Sequence, residues 1–207
     1  MQLCEGDFMR IFKFLVLGLL GMTLAGCGIN NIPTYDQAMK GKFGQVQNEY
    51  QRRADLVPNL VETVKGYAAQ EKDVLTAVTE ARSRATSIQL TPEIVNNPEE
   101  FAKYQAAQGQ LSQALGKLLS ITENYPDLKS NANFLALQSQ LEGTENRITV
   151  ARKDYIDAVQ TYNTELVTFP GAFWASTFYS SYKPAASFTA DAGNDKAPKI
   201  EFTKPKT

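Results

Sequence analysis

An apolar stripe restricts the possible folds of this chain more than any other feature. Starting at Met39, it recurs every three or four residues through Phe43, Val46, Tyr50, Arg53, Val57, Leu60, Val64, Tyr67, Glu71, Val74, Val78, Ala81, Ala85 and Ile88. Thirteen of those fifteen positions are apolar or aromatic, and this period belongs to a helix rather than a strand. Unbroken, such a helix spans about 75 Å at the α-helical rise per residue, too long for a compact domain of this size. The helix must therefore break. Pro58 offers one place, because it lacks a backbone donor and pushes Val57 away from helical angles. Gly66 and the following stretch Tyr67–Asp73 offer the other. We expect a kink at Pro58 and a turn near residues 69–72.

The flanking sequence supplies helix ends. Thr34-Tyr35-Asp36-Gln37 fits a capping box that opens the first helix. Residues 89–96 read as a connection with a small turn at Thr91-Pro92-Glu93. Asn97-Pro98-Glu99-Glu100 then starts a helix with a capping residue, a first-position proline and acids on the positive dipole end. Its buried face is Phe101, Tyr104, Leu111, Leu115, Leu118 and Tyr125, and Pro126 stops it. A last helix starts at Ser130 or Asn131. Phe134, Leu141, Ile148, Tyr155, Tyr162 and Phe169 share one sevenfold register. Leu137, Thr144, Ala151, Ala158 and Glu165 share its smaller companion, and Pro170-Gly171 closes the helix. One bulky seam beside one small seam lets neighbouring helices approach closely. The expected fold class is all-α, an up-and-down bundle of long antiparallel helices of the four-helix type.

Composition narrows the chemistry. The 207 residues carry a formal net charge of −1 and no histidine, so there is no basic field for nucleic acid and no histidine base or ligand. With only two cysteines, no metal and no cofactor is expected. No phosphate loop, nucleophile elbow or metal signature is present.

Residues Met9–Cys27, MRIFKFLVLGLLGMTLAGC, have the layout of an export signal: Arg10 and Lys13, a short apolar run, then small residues. Leu24-Ala25-Gly26-Cys27 resembles the lipobox of bacterial lipoproteins. That resemblance implies cleavage before Cys27, lipid on its sulfur and acylation of its new amino end. Gly28, rather than Asp, after the cysteine implies outer-membrane sorting where the envelope has two membranes. The alternative is an uncleaved membrane helix with an incidental cysteine. Cys4, beside Glu5 and Asp7, is odd at the start of a signal, and initiation at Met9 removes that oddity. The expected organisation is a leader over 1–26, a tether over 27–33, the bundle over 34–182 and a polar, partly ordered tail over 183–207.

Charges on the seams form a candidate buried polar layer: Arg53 with Asp55 or Glu145, near Arg147, and Glu71 and Glu165. An unpaired charge in a bundle seam is costly, so these residues are paired inside or reach water at helix ends. A catalytic reading needs paired carboxylates in a cleft, and Glu71 with Glu165 is the one candidate pair. Phe173, Trp174, Phe178, Tyr179 and Tyr182 make a candidate aromatic patch. It packs over the bundle end, binds a partner, or, if an even number of helices returns it to the membrane, forms an interfacial belt.

Three stretches in order, Arg52–Arg82, Gly143–Gly171 and Lys196–Phe202, resemble the LemA family of bacterial envelope proteins. The resemblance covers Ile32–Phe202. It implies a long-helix bundle at a membrane, with its domain outside the cytoplasm and no assigned reaction. Many relatives use an uncleaved N-terminal helix, from which the LAGC ending departs. The functional expectation is a non-enzymatic scaffold or adaptor, attached to the membrane by lipid on Cys27 and working with an envelope protein partner. The alternative is a carboxylate-dependent hydrolase or a binding protein for cell-wall or lipid ligands. A third possibility is membrane remodelling by the aromatic end.

Overall fold

Pro58 sits inside a continuous helix. The computed structural model describes residues 28–88 and 91–189. Among them, α1 runs Asn31–Lys65, α2 Lys72–Ser87, α3 Pro98–Thr122, α4 Pro126–Lys129, α5 Ala132–Val167 and α6 Gly171–Thr177, with a short 3-10 turn at Pro92–Asn96. No strand occurs among the described residues, and the all-α class holds.

The helix tolerates Pro58 because another side chain takes over its missing bond. In a regular helix the amide of residue 58 donates to the carbonyl of residue 54, and proline cannot. Ala54 is buried, so its carbonyl has no water to turn to. Arg82 of α2 fills the gap, with Nε donating to the Ala54 oxygen at 2.7 Å. The chain reverses later, over residues 66–71, slightly earlier than expected. Gly66 is the weakest helix former there, and Ala68 drops into the core fully buried.

The helix starts also differ from expectation in places. The capping box at Thr34 is not used: α1 begins at Asn31, and the Thr34 amide donates to the Asn30 carbonyl at 3.1 Å. A turn at Gly28, whose φ of 96° suits glycine, nucleates the helix upstream. Pro33 falls within the first turn, where a missing donor costs nothing. α3 begins at Pro98 and ends at Thr122, and Tyr125 lies in the turn before α4. At α5, the Asn131 side-chain oxygen accepts from the Asn133 and Phe134 amides at 2.9 and 3.1 Å, an N-cap. The bulky register of α5 is buried from Phe134 to Tyr162 but not at Phe169, which is 88% exposed because the helix stops at Val167.

The chain divides into two compact units. The first contains, among described residues, 28–49, 91–98 and 146–186. Its core is Ile32, Met39, Phe43 and Val46 of α1 against Ile148, Tyr155, Val159 and Tyr162 of α5, with Ile94, Val95 and Ala185. The two helical segments run antiparallel: Asn31 reaches Glu165, and Lys42 reaches Asp154. Residues 183–186 lie extended along this α5 segment, held by side chains. Tyr162 donates to the Lys183 carbonyl at 3.0 Å and Tyr155 to the Ala186 carbonyl at 2.6 Å. The Asn163 amide group clamps both the N–H and the C=O of Ala185, at 2.8 and 3.0 Å. The Ala186 amide donates to the Val95 carbonyl at 2.7 Å.

The second unit contains, among described residues, 50–88, 99–145 and 187–189. Segments of α1, α2, α3 and α5 run up, down, up and down around Val57, Leu60, Val64, Val78, Leu111, Leu115, Leu118, Phe134 and Leu141. Phe188 packs on Phe101 with ring centroids 4.9 Å apart, and Gln105 holds the Thr189 backbone.

Arg82→Ala is expected to cost about 1–3 kcal/mol of unfolding free energy by leaving the buried Ala54 carbonyl without a partner. In a Pro58→Ala background residue 58 regains its own amide, and the cost of Arg82→Ala should fall to about 1 kcal/mol or less. Urea unfolding of the four proteins in the cycle measures the coupling.

Candidate functional site

The second unit buries a complete guanidinium. Arg53, on the seam of α1, is 1% exposed. Its Nη2 donates to both the side-chain and backbone oxygens of Gln108, at 2.7 and 3.1 Å. Its Nη1 donates to Ser112 Oγ at 2.5 Å and to Glu145 Oε1 at 3.0 Å. The Tyr50 ring lies 5.0 Å from the guanidinium carbon, a cation–π contact. Gln108 passes the connection on, its amide donating to the Ala85 carbonyl at 3.3 Å. One cation thus joins α1, α3 and α5 directly, and α2 through Gln108. Arg53 Nε is the one guanidinium nitrogen buried without a hydrogen-bond partner.

The other candidates of the polar layer lie elsewhere. Asp55 is exposed and accepts from Gln51 on its own helix at 2.7 Å. Arg147 is exposed and belongs to the first unit, where its Nε donates to Glu49 at 2.9 Å. Glu71 belongs to the second unit, where its carboxylate accepts the Tyr125 hydroxyl at 2.7 Å. That bond raises the Tyr125 pKa above its ordinary value. Glu165 belongs to the first unit and accepts from the Asn31 amide at 3.1 Å. Each of the two carboxylates proposed as a catalytic pair is therefore committed to a neighbour within its own unit.

The first unit carries a surface groove of about 420 Å³ between α1 and α5, lined by Gln45, Asn48, Glu49, Arg147, Val150 and Asp154 among others. Two ion pairs cross between the helices beside it, Glu49–Arg147 and Lys42–Asp154, both at 2.9 Å. Lys42 holds the Asp154 carboxyl below its ordinary pKa, first by its hydrogen bond and then by its charge. Deeper in this unit, burial and the nearby Asp36 push the Tyr162 hydroxyl up to about 12, so it stays a donor to the Lys183 carbonyl.

The aromatic candidates cluster on α6 and the residues after it. Trp174 packs edge-on to Phe173 at 5.0 Å and tilted against Phe178 at 5.9 Å, and Tyr179 meets Tyr182 edge-on at 5.5 Å. Phe173 and Phe178 remain mostly exposed, whereas Trp174, Tyr179 and Tyr182 are half-buried. α6 approaches α5 closely enough to need Gly171: a Cβ there would lie 2.1 Å from the Glu165 carbonyl oxygen.

Among the described residues no helix is long and apolar enough to cross a membrane, and no group of His, Cys, Asp or Glu could hold a metal ion. Cys27, the leader over 1–26 and the tail beyond Thr189 lie outside the described residues. Sequence reading missed Gln108, Ser112 and Asn163. Gln108 alone left a signal, a polar residue on the α3 stripe between Tyr104 and Leu111.

Arg53→Ala should lower unfolding free energy by about 2–4 kcal/mol, since it removes packing and leaves the buried Gln108 without its partner, while the half-exposed Glu145 turns to water. Arg53→Met, which keeps most of the volume, should cost clearly less by urea titration. A second expectation concerns pH. Because the folded pKa of Asp154 is depressed, its pairing stabilises the fold above the unfolded pKa and is lost as pH falls through the folded one. Lys42→Met should move the Asp154 midpoint up toward its ordinary value in a carboxyl NMR titration.

Comparison with known proteins gives this geometry a family. The LemA family profile matches residues 42–202. Magnetosome protein MamQ 2 of Paramagnetospirillum magneticum is 25% identical over 182 residues, covering 80% of this chain and 66% of that protein. Magnetosome protein MamQ of Magnetospirillum gryphiswaldense is 25% identical over 160 residues, covering 70% of this chain and 58% of that protein. Protein LemA of Metamycoplasma hominis is 22% identical over 165 residues, covering 80% and 71%. This chain spans just under two thirds of the first of these relatives. With the profile running from the middle of α1 past residues 183–186, which lie along α5 as a strap, the chain belongs to the LemA family.

Proposed function

We propose that this LemA-family chain is a non-enzymatic helical scaffold of the bacterial envelope, held at a membrane and presenting its bundle to protein partners. The observation that carries this reading is the use made of the buried charge. Arg53 is 1% exposed and bonded to Gln108, Ser112 and Glu145 beside the Tyr50 ring, so its two Nη groups serve to tie helices together. The seam polar groups act as fasteners. The relatives support the same direction, since none is named for a reaction.

The membrane attachment in this reading is lipid on Cys27, with the domain outside the cytoplasm, on the periplasmic face of the outer membrane where there are two membranes. An uncleaved N-terminal helix gives the same topology. The natural partner surface is the groove of the first unit. Charges of both signs and the exposed Val150 among its lining residues suit a protein surface of mixed polarity. The same walls favour a second reading, binding of a cell-wall glycan through Glu49, Asp154 and the amides of Gln45 and Asn48.

A photo-crosslinking residue in place of Val150, in cells carrying the full chain, tests both. The scaffold reading expects one defined protein adduct, reduced several-fold by Cys27→Ala, together with incorporation of labelled fatty acid that Cys27→Ala abolishes. A glycan adduct without a protein one favours the second reading. Turnover of an envelope substrate by the purified chain, lost in a folded point variant, would falsify the non-enzymatic reading.

A further inference from the structure

Among the described residues of the first unit, four of the six exposed large apolar side chains lie close together in the sequence, Val150 and Ile156 being the other two. Val167 is 73% exposed, Phe169 88%, Phe173 52% and Phe178 67%. All lie at the end of α5, in the loop that follows, or on and just after α6. Four large apolar side chains left in water within twelve residues are unusual for the free surface of a soluble domain. The charge pattern of the sequence that carries them is one-sided. From Leu166 to Ala190 there is no Asp or Glu, and Lys183 is the single charged residue. Aromatic rings with tyrosines and a lysine at their margin are the composition favoured at a membrane–water interface.

The start of the described chain lies at the same spot. A Cβ at Gly28 would be 3.5 Å from Pro170 Cγ, directly between Phe169 and Gly171 in sequence. Asn31, three residues later, is bonded to Glu165 at the end of α5. The membrane-attaching sequence therefore joins the fold beside these phenylalanines. Lipid on Cys27 is one residue from Gly28, about 3.8 Å between Cα atoms. An uncleaved helix through Met22 is six residues away, at most about 20 Å of chain. Either anchor holds this patch at the bilayer surface.

We propose that Phe169, Phe173 and Phe178, beside Gly28, form a foot that inserts into the lipid surface to which the chain is attached. The inference rests on the membrane attachment proposed above, and adds that the bundle end itself takes part in it. The occupant of the patch is a lipid surface because the anchor delivers lipid there, residues 166–190 carry no acidic group to be repelled by anionic headgroups, and the carboxylate just before them, Glu165, is bonded to Asn31.

Trp174, the single tryptophan of the chain, lies between Phe173 and Phe178 and reports on the foot. The full-length protein is reconstituted into phosphatidylethanolamine–phosphatidylglycerol vesicles whose acyl chains are brominated near the headgroup. Bromine quenches nearby indoles. We expect Trp174 to lose most of its emission relative to unbrominated vesicles. The triple variant Phe169→Ser/Phe173→Ser/Phe178→Ser should float with the vesicles and keep that emission. Should the triple variant misfold by circular dichroism, Phe169→Ser alone, at the most exposed position, should still reduce the quenching. Flotation of the wild type with an unquenched Trp174 overturns the foot and leaves the attachment standing. Failure of the wild type to float overturns the attachment, and the foot with it. A Trp174 shielded from aqueous acrylamide in cross-linked dimers, but blind to bromine, overturns the foot in favour of a second copy.

Discussion

Burial of the Arg53 guanidinium is the constraint around which the second unit is organised. A seam of leucines and valines sets few limits on register, because a helix shifted by one repeat still buries apolar side chains. A guanidinium is different. It cannot be deprotonated, its donors point in fixed directions, and losing its partners in a dry interior costs far more than a poor apolar contact. Gln108 and Ser112 stand one turn apart on α3 and so present their oxygens on one face. Glu145 comes from α5 on the other side. Sliding any of these helices separates donors from acceptors at once. The layer thus supplies specificity of alignment, while the apolar residues above and below it supply most of the favourable free energy.

Side chains standing in for missing backbone partners are the second recurring device. Arg82 replaces the amide that Pro58 lacks. Asn131 satisfies two donors at the start of α5. Asn163 treats the Ala185 backbone as a strand neighbour would, giving one donor and one acceptor. That clamp explains how residues 183–186 lie against a helix without a sheet to join. An extended backbone has a donor or acceptor at nearly every residue, and a helix surface offers only side chains to meet them. Tyr155 and Tyr162, on the buried register of α5, reach the same strap with their hydroxyls. Aromatic bodies fill the core while their polar tips bind the segment outside it.

The long helices were legible because a 3-4 period sustained over so many residues has one structural reading. Their ends were less so. Thr34 and Gln37 have the right types for a capping box, but the turn at Gly28 starts the helix first, and a local motif cannot compete once its residues are already helical. The break was hard to place because Pro58 looks like a stop unless a donor from another helix is known, and Arg82 is distant in sequence. Arg53 was visible as a charge on a seam. Its neighbour Asp55 was a poor choice of partner for a geometric reason: residues two apart point to opposite sides of a helix. Arg147 precedes the seam residue Ile148 and so faces outward to Glu49. Gln108 could have been found by asking which α3 residue stands level with Arg53. Asn163 could not, since it lies off both registers and its partner is a strap with no periodicity.

A patch beside a tether needs little affinity of its own. A free domain that binds lipid through three phenylalanines must also offset the loss of its translational and rotational freedom. A domain already attached one or a few residues away has met most of that cost through the anchor, so a weak second contact is multiplied by a high effective concentration. The proposed attachment would account for the form of the apolar surface, which is a few bulky rings around Pro170 rather than a long amphipathic helix. It also accounts for its position. Exposed phenylalanines elsewhere on the bundle would promote aggregation, whereas beside Gly28 the proposed anchor would direct them toward lipid. The contact would orient the bundle as well as hold it. A single flexible attachment lets a domain swing, but an attachment plus an inserted ring cluster on the same unit restricts the angle at which α1 and α5 leave the surface. For a scaffold, fixing that angle turns membrane localisation into presentation of one particular face.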